Sequence, residues 1–393
     1  MKICIICTLY PPFVLGGAEI STALLAQGLV RNGHEVSVIT TGNTYSKETI
    51  EGVTVYRLEN KNIYWRYPQR DKPLAKKMLW HFFDMYNVRY QKKLQDLLSM
   101  LKPDIVHTGN LCGLSCIVWN VAKQQHIPIV HTLRDYYLLC PQQTMIKGAQ
   151  SCQSQCLVCK SYSVMKKNMS QKVDAVVGIS NFILRQHLEF GYFKNTTAIR
   201  VIPNSIEPNI IPTNTAEIKD IGYIGRLSPE KGIELMIEAF IGSHNKGKNK
   251  LRIAGSGNKK YIDSLKNKYQ DEHIVFCGKC KPADFFRTIG LLIVPSLWNE
   301  PFGRVVIEAY SAHIPVLMAN NGGLAELAEQ GISEVFPTKS TAPLTNLLDK
   351  FFNGTLRFDH NRFQQAITQY TENSVTKAYI ELYSKIINSY YHE

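Results

Sequence analysis

KICIICTLYPPFVLGGAEISTALLAQGLVRNGHEVSVIT, residues 2–40, changes its periodicity twice. Lys2 to Thr8 is a short apolar run of β character, and a loop bearing Pro11 and Pro12 carries the chain to Gly16-Gly17-Ala18-Glu19. Ile20, Leu24, Leu25 and Leu29 then recur at helical spacing, with Asn32-Gly33 as the stop. His34 to Thr40 returns to a strand pattern. Strand, glycine-bearing loop, helix, strand is the opening of a doubly wound α/β sheet, in which ligands bind outside the carboxyl ends of the strands. Gly16 and Gly17 are therefore expected at a ligand edge. The loop lacks G-x-G-x-x-G, which counts against a dehydrogenase.

The same alternation continues outward. Asp104–His107, Ile129–Thr132 and Asp174–Ile179 read as further parallel strands, the last followed by a helix from near Ser180, and Arg200–Asn204 ends the run. Residues 206–218, IEPNIIPTNTAEI, are rich in Asn and Pro without periodicity and are expected to be a linker. Beyond it GYIGRL, LRIAGSG, HIVFCGKC, LLIVPS and IPVLMA repeat the strand pattern. The expected organisation is α/β: a doubly wound Rossmann-like domain over 1–205 with a Cys-rich insertion at 140–160, and a second over 219–373. A single helix follows over 374–393, with Tyr379, Leu382, Tyr383 and Ile386 on one face.

Apolar residues make up 45% of the 393, as in an ordinary soluble globular chain, but the formal charge of +13 is not ordinary. It favours an anionic partner: a nucleic acid, a nucleotide, a phospholipid surface or a phosphorylated lipid. No apolar run reaches the ~18 residues needed to cross a bilayer. The first residues continue into a helix pattern instead of a small-residue cleavage site, so they read as a buried strand of a cytosolic protein. Between Arg66 and Lys93, eight Lys and Arg face only Asp71 and Asp84, interleaved with Trp80, Phe82, Phe83, Tyr86 and Tyr90. Leu74, Met78, Phe82 and Met85 there have helical spacing, which suits either a core-packed helix with a solvated face or docking on an anionic membrane.

Two stretches of the second half carry chemistry. In PSLWNEPFGRVVIE, residues 295–308, Pro301 and Gly303 predict a loop feeding a helix whose Val305-Val306-Ile307 is apolar. Glu308 within that face needs ligand hydroxyls, an arginine or backbone amides as partners. Glu300 precedes the helix, and the amides of Phe302, Gly303 and Arg304 at its N-terminus suit an anionic or hydroxyl-rich ligand. The plain alternative is a helix with a surface Glu at each end. In GRLSPEKG, residues 225–232, Arg226 and Lys231 sit at a strand-to-helix junction where a phosphate could lie, or form a solvated surface turn.

Cys140, Cys152, Cys156 and Cys159 have the spacing C-x11-C-x3-C-x2-C in a polar, Lys-bearing segment. A structural zinc site is expected from four thiolates so placed, with free thiols or an iron–sulfur cluster as alternatives. Cys4, Cys7, Cys112, Cys116, Cys277 and Cys280 read as structural.

GRLSPEKG, the E-x7-E pair Glu300 and Glu308, Gly322-Gly323-Leu324-Ala325-Glu326, Gly16-Gly17-Ala18-Glu19 and VIPNS occur in one order over nearly the whole chain. Together they resemble family 4 of the retaining glycosyltransferases, also called glycosyl transferases group 1. The resemblance implies a GT-B fold, two Rossmann-like domains facing across a cleft, with the C-terminal helix returning to the first domain. It implies a nucleotide-sugar donor on the second domain and an acceptor on the first. Arg226 and Lys231 would hold the donor diphosphate and, with Glu300 on the donor sugar, form the catalytic set. Glu308 would take the ribose hydroxyls, the Phe302-Gly303-Arg304 amides sugar and phosphate, and Gly16 and Gly17 would allow close approach to diphosphate or acceptor. A histidine common in that family after the strand IVHTLRD is replaced here by Arg134, followed by Asp135, while His131 would face the other way. Arg134 then either binds an acidic sugar or an acceptor phosphate, or pairs with Asp135.

The implied activity is metal-independent, retaining transfer of a sugar to a growing glycan. No Asp-x-Asp metal-diphosphate signature occurs in the sequence. The acceptor is expected to be lipid-linked, in cell-surface polysaccharide or lipopolysaccharide-type synthesis, and the protein peripheral on the cytoplasmic face of the cell membrane. Nucleic acid is not an expected partner, for lack of a recognition motif. The alternative from another class is a non-catalytic nucleotide-sugar-binding or scaffold protein. The sequence carries no indication of oligomeric state.

Overall fold

The computed structural model describes residues 1–68, 72–148, 150–206 and 218–392. The stretch read as a linker, 206–218, lies outside the described residues except for Ile206 and Ile218. The chain divides into two compact units, one of Met1–Met145, Gln153–Ser205 and Glu372–Glu393, the other of Ile146–Cys152 and Ile206–Thr371.

The strands, in chain order, are β1 (Lys2–Ile6), β2 (Glu35–Gly42), β3 (Ser46–Ile50), β4 (Val53–Glu59), β5 (Ile105–Thr108), β6 (Ile129–Leu133), β7 (Ile146–Lys147), β8 (Gln150–Ser151), β9 (Ala175–Gly178) and β10 (Ala198–Val201). They continue with β11 (Ile221–Leu227), β12 (Leu251–Gly257), β13 (Ile274–Gly278), β14 (Leu291–Val294), β15 (Val316–Ala319) and β16 (Ser333–Phe336).

In the first unit the sheet order is β10-β9-β6-β5-β1-β2-β4-β3, parallel except that β3 runs antiparallel to β4 at the edge. Strands β5, β6 and β9 are buried at every position, as expected where helices cover both faces of a parallel sheet. The order reverses at β1 and β5, so the loops after these two strands open at the topological switch point. The helix Gly17–Arg31 leaves the first of these loops and buries Leu25, Ala26 and Leu29 against the sheet. The final helix, Glu372–His392, adds Tyr379, Leu382, Tyr383 and Ile386 to the same core. The hydroxyls of its two buried tyrosines are satisfied by strand side chains: Tyr379 Oη lies 3.0 Å from Thr132 Oγ1, and Tyr383 Oη lies 2.6 Å from His107 Nδ1.

The basic, aromatic region forms the helix Leu74–Met85, the 3-10 turn Val88–Tyr90 and the helix Gln91–Leu101, with residues 69–71 outside the described part. Trp80 and Asp84 face inward, whereas Leu74, Met78 and Phe82 face outward. The apolar repeat read from the sequence is therefore an exposed stripe.

In the second unit the order is β13-β12-β11-β14-β15-β16, all parallel. Here the order reverses between β11 and β14. GRLSPEKG follows from β11 and PSLWNEPFGRVVIE from β14, so the two stretches of chemical interest leave neighbouring strands at their carboxyl ends.

Candidate active site

Arg226 lies in β11, and Lys231 closes the 3-10 turn Pro229–Lys231 directly after it. Tyr223 Oη donates to the Arg226 carbonyl at 2.8 Å, holding the strand end in place. The Arg226 side chain is exposed, and its guanidinium makes no ion pair among the described residues. Gly232 follows at φ 71°, where a Cβ would stand 2.0 Å from the Pro295 carbonyl oxygen. Only glycine lets the two loops touch there, and the Leu297 amide then donates to the Glu230 carbonyl at 2.9 Å.

That contact brings Lys231 to Glu300. The ammonium Nζ donates to Glu300 Oε1 at 2.8 Å, and Ser296 Oγ donates to the same oxygen. Lys231 also stands 5.3 Å from the centre of the Trp298 ring. Burial pushes the Glu300 carboxyl up, but Lys231 and the hydrogen bonds from its neighbours outweigh it, so the carboxyl lies below its ordinary value of 4.5. Glu300 is thus an anion facing a fixed cation. Its carbonyl accepts from the Gly323 amide at 2.7 Å, which ties the Gly322-Gly323 turn to the same place.

Gly303, at φ 134°, opens the helix Arg304–Ser311 without a side-chain cap. The Phe302 side chain is buried and packs on Tyr370. Arg304 Nε donates to Glu308 Oε1 at 2.6 Å, one turn away on the helix, and both side chains are largely buried. An arginine, one of the partners expected for Glu308, is thus in place.

In the first unit Gly16 is the N-cap of the helix Gly17–Arg31, with its amide donating to Glu19 Oε2 at 2.9 Å. Its φ of −169° suits any residue, and an added Cβ would meet no atom within 4 Å. Protein packing does not demand glycine at this position. Arg134 follows β6 and donates through Nη1 to Asn204 Oδ1, of the VIPNS segment. Asp135 instead accepts from the Tyr137 amide at 2.7 Å and from the Asn110 side chain. His131 points into the core, against Thr108 and Phe193.

Of the four cysteines expected to hold zinc, Cys140 and Cys156 both act on the Cys159 thiol. Cys140, Cys156 and Cys159 belong to the first unit, while Cys152 goes with the β7–β8 hairpin to the second. Among the described residues no group of three or more Cys, His, Asp or Glu is placed to hold a metal. Cys156 instead caps the helix Leu157–Ser170, its sulfur accepting from the Cys159 amide at 3.5 Å. That hydrogen bond lowers the Cys156 thiol, whereas burial and then Cys140 push the Cys159 thiol up.

The residues not foreseen from the sequence are Ser296, Trp298 and Tyr223 around Lys231 and Glu300, and Asn204 beside Arg134. Ser296 and Trp298 stand within the quoted stretch 295–308, four and two positions from Glu300, which was the available signal.

Comparisons with known proteins identify the fold and the family. Sucrose-phosphate synthase from Thermosynechococcus elongatus superposes with a TM-score of 0.76 at 18% identity, covering 99% of each chain. HepE of Anabaena, solved with UDP-glucose, gives 0.70 at 17% identity over 98% of this chain and 100% of its own. At such identities these likenesses show the fold, which is GT-B. The model of Glycosyltransferase Family 4 matches residues 15–210, and that of Glycosyl transferases group 1 matches residues 210–372. An uncharacterized 42.6 kDa protein in the cps region of Klebsiella pneumoniae is 37% identical over 331 residues, 84% of this chain and 87% of its own. An uncharacterized glycosyltransferase of Methanocaldococcus jannaschii is 28% identical over 362 residues, 86% and 85% of the two chains. The chain belongs to glycosyltransferase family 4.

Proposed function

We infer that the protein transfers a sugar, with retention of anomeric configuration, from a nucleotide-diphosphate sugar to a glycan acceptor, and that no metal ion takes part. The observation that carries this reading is the convergence of Arg226, Lys231 and Glu300 at the switch point of the second sheet. The leaving diphosphate must be stabilised as the glycosidic carbon loses it. A fixed cation at ~4 Å contributes roughly 4 kcal/mol at an effective dielectric of ~20. Arg226 and Lys231 supply two such charges, and the uncapped start of the helix Arg304–Ser311 adds its dipole. In this reading Glu300 holds hydroxyls of the transferred sugar, Glu308 the ribose, and the backbone at Phe302-Gly303-Arg304 the sugar and phosphate. Front-face attack forms the bond from the acceptor oxygen to the anomeric carbon as the carbon–phosphate oxygen bond breaks. The acceptor proton passes to the departing phosphate.

The acceptor engages the first unit, where Gly16 and Gly17 border the loop after β1 and Arg134 takes an acidic sugar or an acceptor phosphate. The relative from a cps region and the basic charge of the chain support a lipid-linked acceptor in cell-surface polysaccharide synthesis, on the cytoplasmic side of the membrane. Among the described residues no helix is long and apolar enough to cross a membrane, so attachment would be peripheral.

The test is transfer from a panel of nucleotide sugars in excess chelator, with the anomeric configuration of donor and product read by proton NMR. Product of unchanged configuration supports the reading. Inverted product, or activity abolished by chelator and restored by a divalent cation, overturns the corresponding part. Arg134→Ala is expected to raise the acceptor KM, and unchanged kinetics would remove its assignment.

A further inference from the structure

Two neighbouring helices of the first unit expose apolar stripes that nothing in the active-site account uses. Leu74, Met78 and Phe82 on the helix Leu74–Met85 are 73%, 53% and 58% exposed, at i, i+4 and i+8. On the helix Leu157–Ser170, which grows out of the Cys-bearing insertion, Leu157, Val158 and Val164 are 84%, 60% and 57% exposed. The helices touch. Tyr162 Oη donates to the Met78 carbonyl at 3.3 Å, and the buried Lys166 ammonium lies 4.0 Å from the buried Asp84 carboxylate, one residue from each helix. Exposed side chains of this size, gathered on adjacent helices, mark a surface that meets another apolar phase.

The charge says which phase. Asp84 is the one carboxylate between residues 72 and 93, and it is buried. Residues 151–171 contain no carboxylate at all. Lys76 and Lys160 are exposed on the two helices, so the ionised groups on this surface are cationic. Bulky apolar stripes bordered by lysines, with no acid among them, match an anionic bilayer, in which acyl chains take the stripes and headgroups the ammoniums.

We propose that the helices Leu74–Met85 and Leu157–Ser170 together form a docking surface for an anionic lipid bilayer. The proposal deepens, and in part rests on, the reading of a lipid-linked acceptor. The insertion that carries the cysteines then serves to add the second helix to the first.

The test uses the full chain with phosphatidylcholine vesicles, with and without phosphatidylglycerol, in flotation assays. The wild type is expected to float with the phosphatidylglycerol vesicles and to be released by high salt. Met78→Ser/Phe82→Ser and Leu157→Ser/Val158→Ser should each weaken binding about tenfold or more, and Lys76→Glu/Lys160→Glu should remove the preference for the anionic lipid. These side chains are exposed, so thermal midpoints and donor hydrolysis by water should stay at the wild-type level. Absence of lipid-dependent flotation of the wild type overturns the proposal. So does a pair of stripe substitutions that binds like the wild type, or a dimer in sedimentation that the stripe substitutions dissociate. Vesicle binding without use of a lipid-linked acceptor leaves the surface standing and removes the acceptor reading; transfer to a lipid-linked acceptor without vesicle binding does the reverse.

Discussion

Lys231 Nζ stands 2.8 Å from Glu300 Oε1 across 69 residues of sequence, because β11 and β14 are neighbours in the sheet. Replacing Lys231 by alanine removes a cation from the proposed diphosphate position and leaves Glu300 without its partner. We predict a fall in kcat/KM of about 100-fold or more, a loss typical of removing one electrostatic stabiliser of a transition state. The pH profile should move too. Glu300 has a carboxyl held below 4.5, so its contribution to stability is present above that pH and is lost as pH falls through the lower folded value. Without Lys231 the acid limb of both stability and rate should shift upward, which stepped-pH thermal melts and initial rates would show.

Glu308 is already engaged by Arg304 at 2.6 Å, so it is oriented before any ligand arrives. A group that binds ribose contributes equally in ground and transition states. Glu308→Gln should therefore raise the donor KM about tenfold while kcat changes by less than about threefold. A fall in kcat at unchanged KM would assign Glu308 to the chemistry instead.

Gly16 faces open space, and a serine there would be a better helix N-cap than glycine by a few tenths of a kcal/mol. Gly16→Ser should leave the thermal midpoint equal to or above the wild-type value. If the loop approaches substrate closely, as proposed, activity should still drop about tenfold or more, a cost of crowding a ligand and not of misfolding. Full activity would show that no ligand comes near.

Three buried histidines make the first unit sensitive to acid. Burial lowers His107 to about 3 and His187 to about 4, and drives His131 well down too. In each case the unfolded chain binds the proton first, near pH 6.5, so stability present at neutral pH is lost as pH falls from 6.5 toward the folded values. The combined effect should be visible in calorimetry as a steady decline of the first unit's transition as pH falls from 6.5 toward 4. A transition independent of pH over that range would contradict the neutral, hydrogen-bonded state of His107 against Thr132 and Tyr383.

Much of the fold was legible in residues 2–40, because the change from strand to helix spacing and back leaves few alternatives. Edge strand β3 was not: SKETI carries no buried residue, and its pairing with β4 depends on a turn at Glu51 and Gly52, both at positive φ. The spacing of Leu74, Met78 and Phe82 announced a helix face but not the side it faces, which depends on what Trp80 and Asp84 bury. The four cysteines had ligand-like spacing, yet nothing in it shows that the β7–β8 hairpin carries Cys152 to another unit. At the site, residue types at the ends of two strands were readable one by one. Their pairing, Lys231 with Glu300 and Arg134 with Asn204, depends on strand order and register, which no single stretch contains.

In the proposed function a nucleotide-diphosphate sugar binds the second unit through Arg226 and Lys231 without a metal. The most direct measurement of that binding is the shift in thermal midpoint caused by a panel of nucleotide sugars in excess chelator, for the wild type and for Arg226→Ala and Lys231→Ala. The wild type should be stabilised by at least one nucleotide sugar, and most of that stabilisation should be lost in both variants. Equal stabilisation of all three proteins, or a shift that appears only when a divalent cation is added, would contradict it.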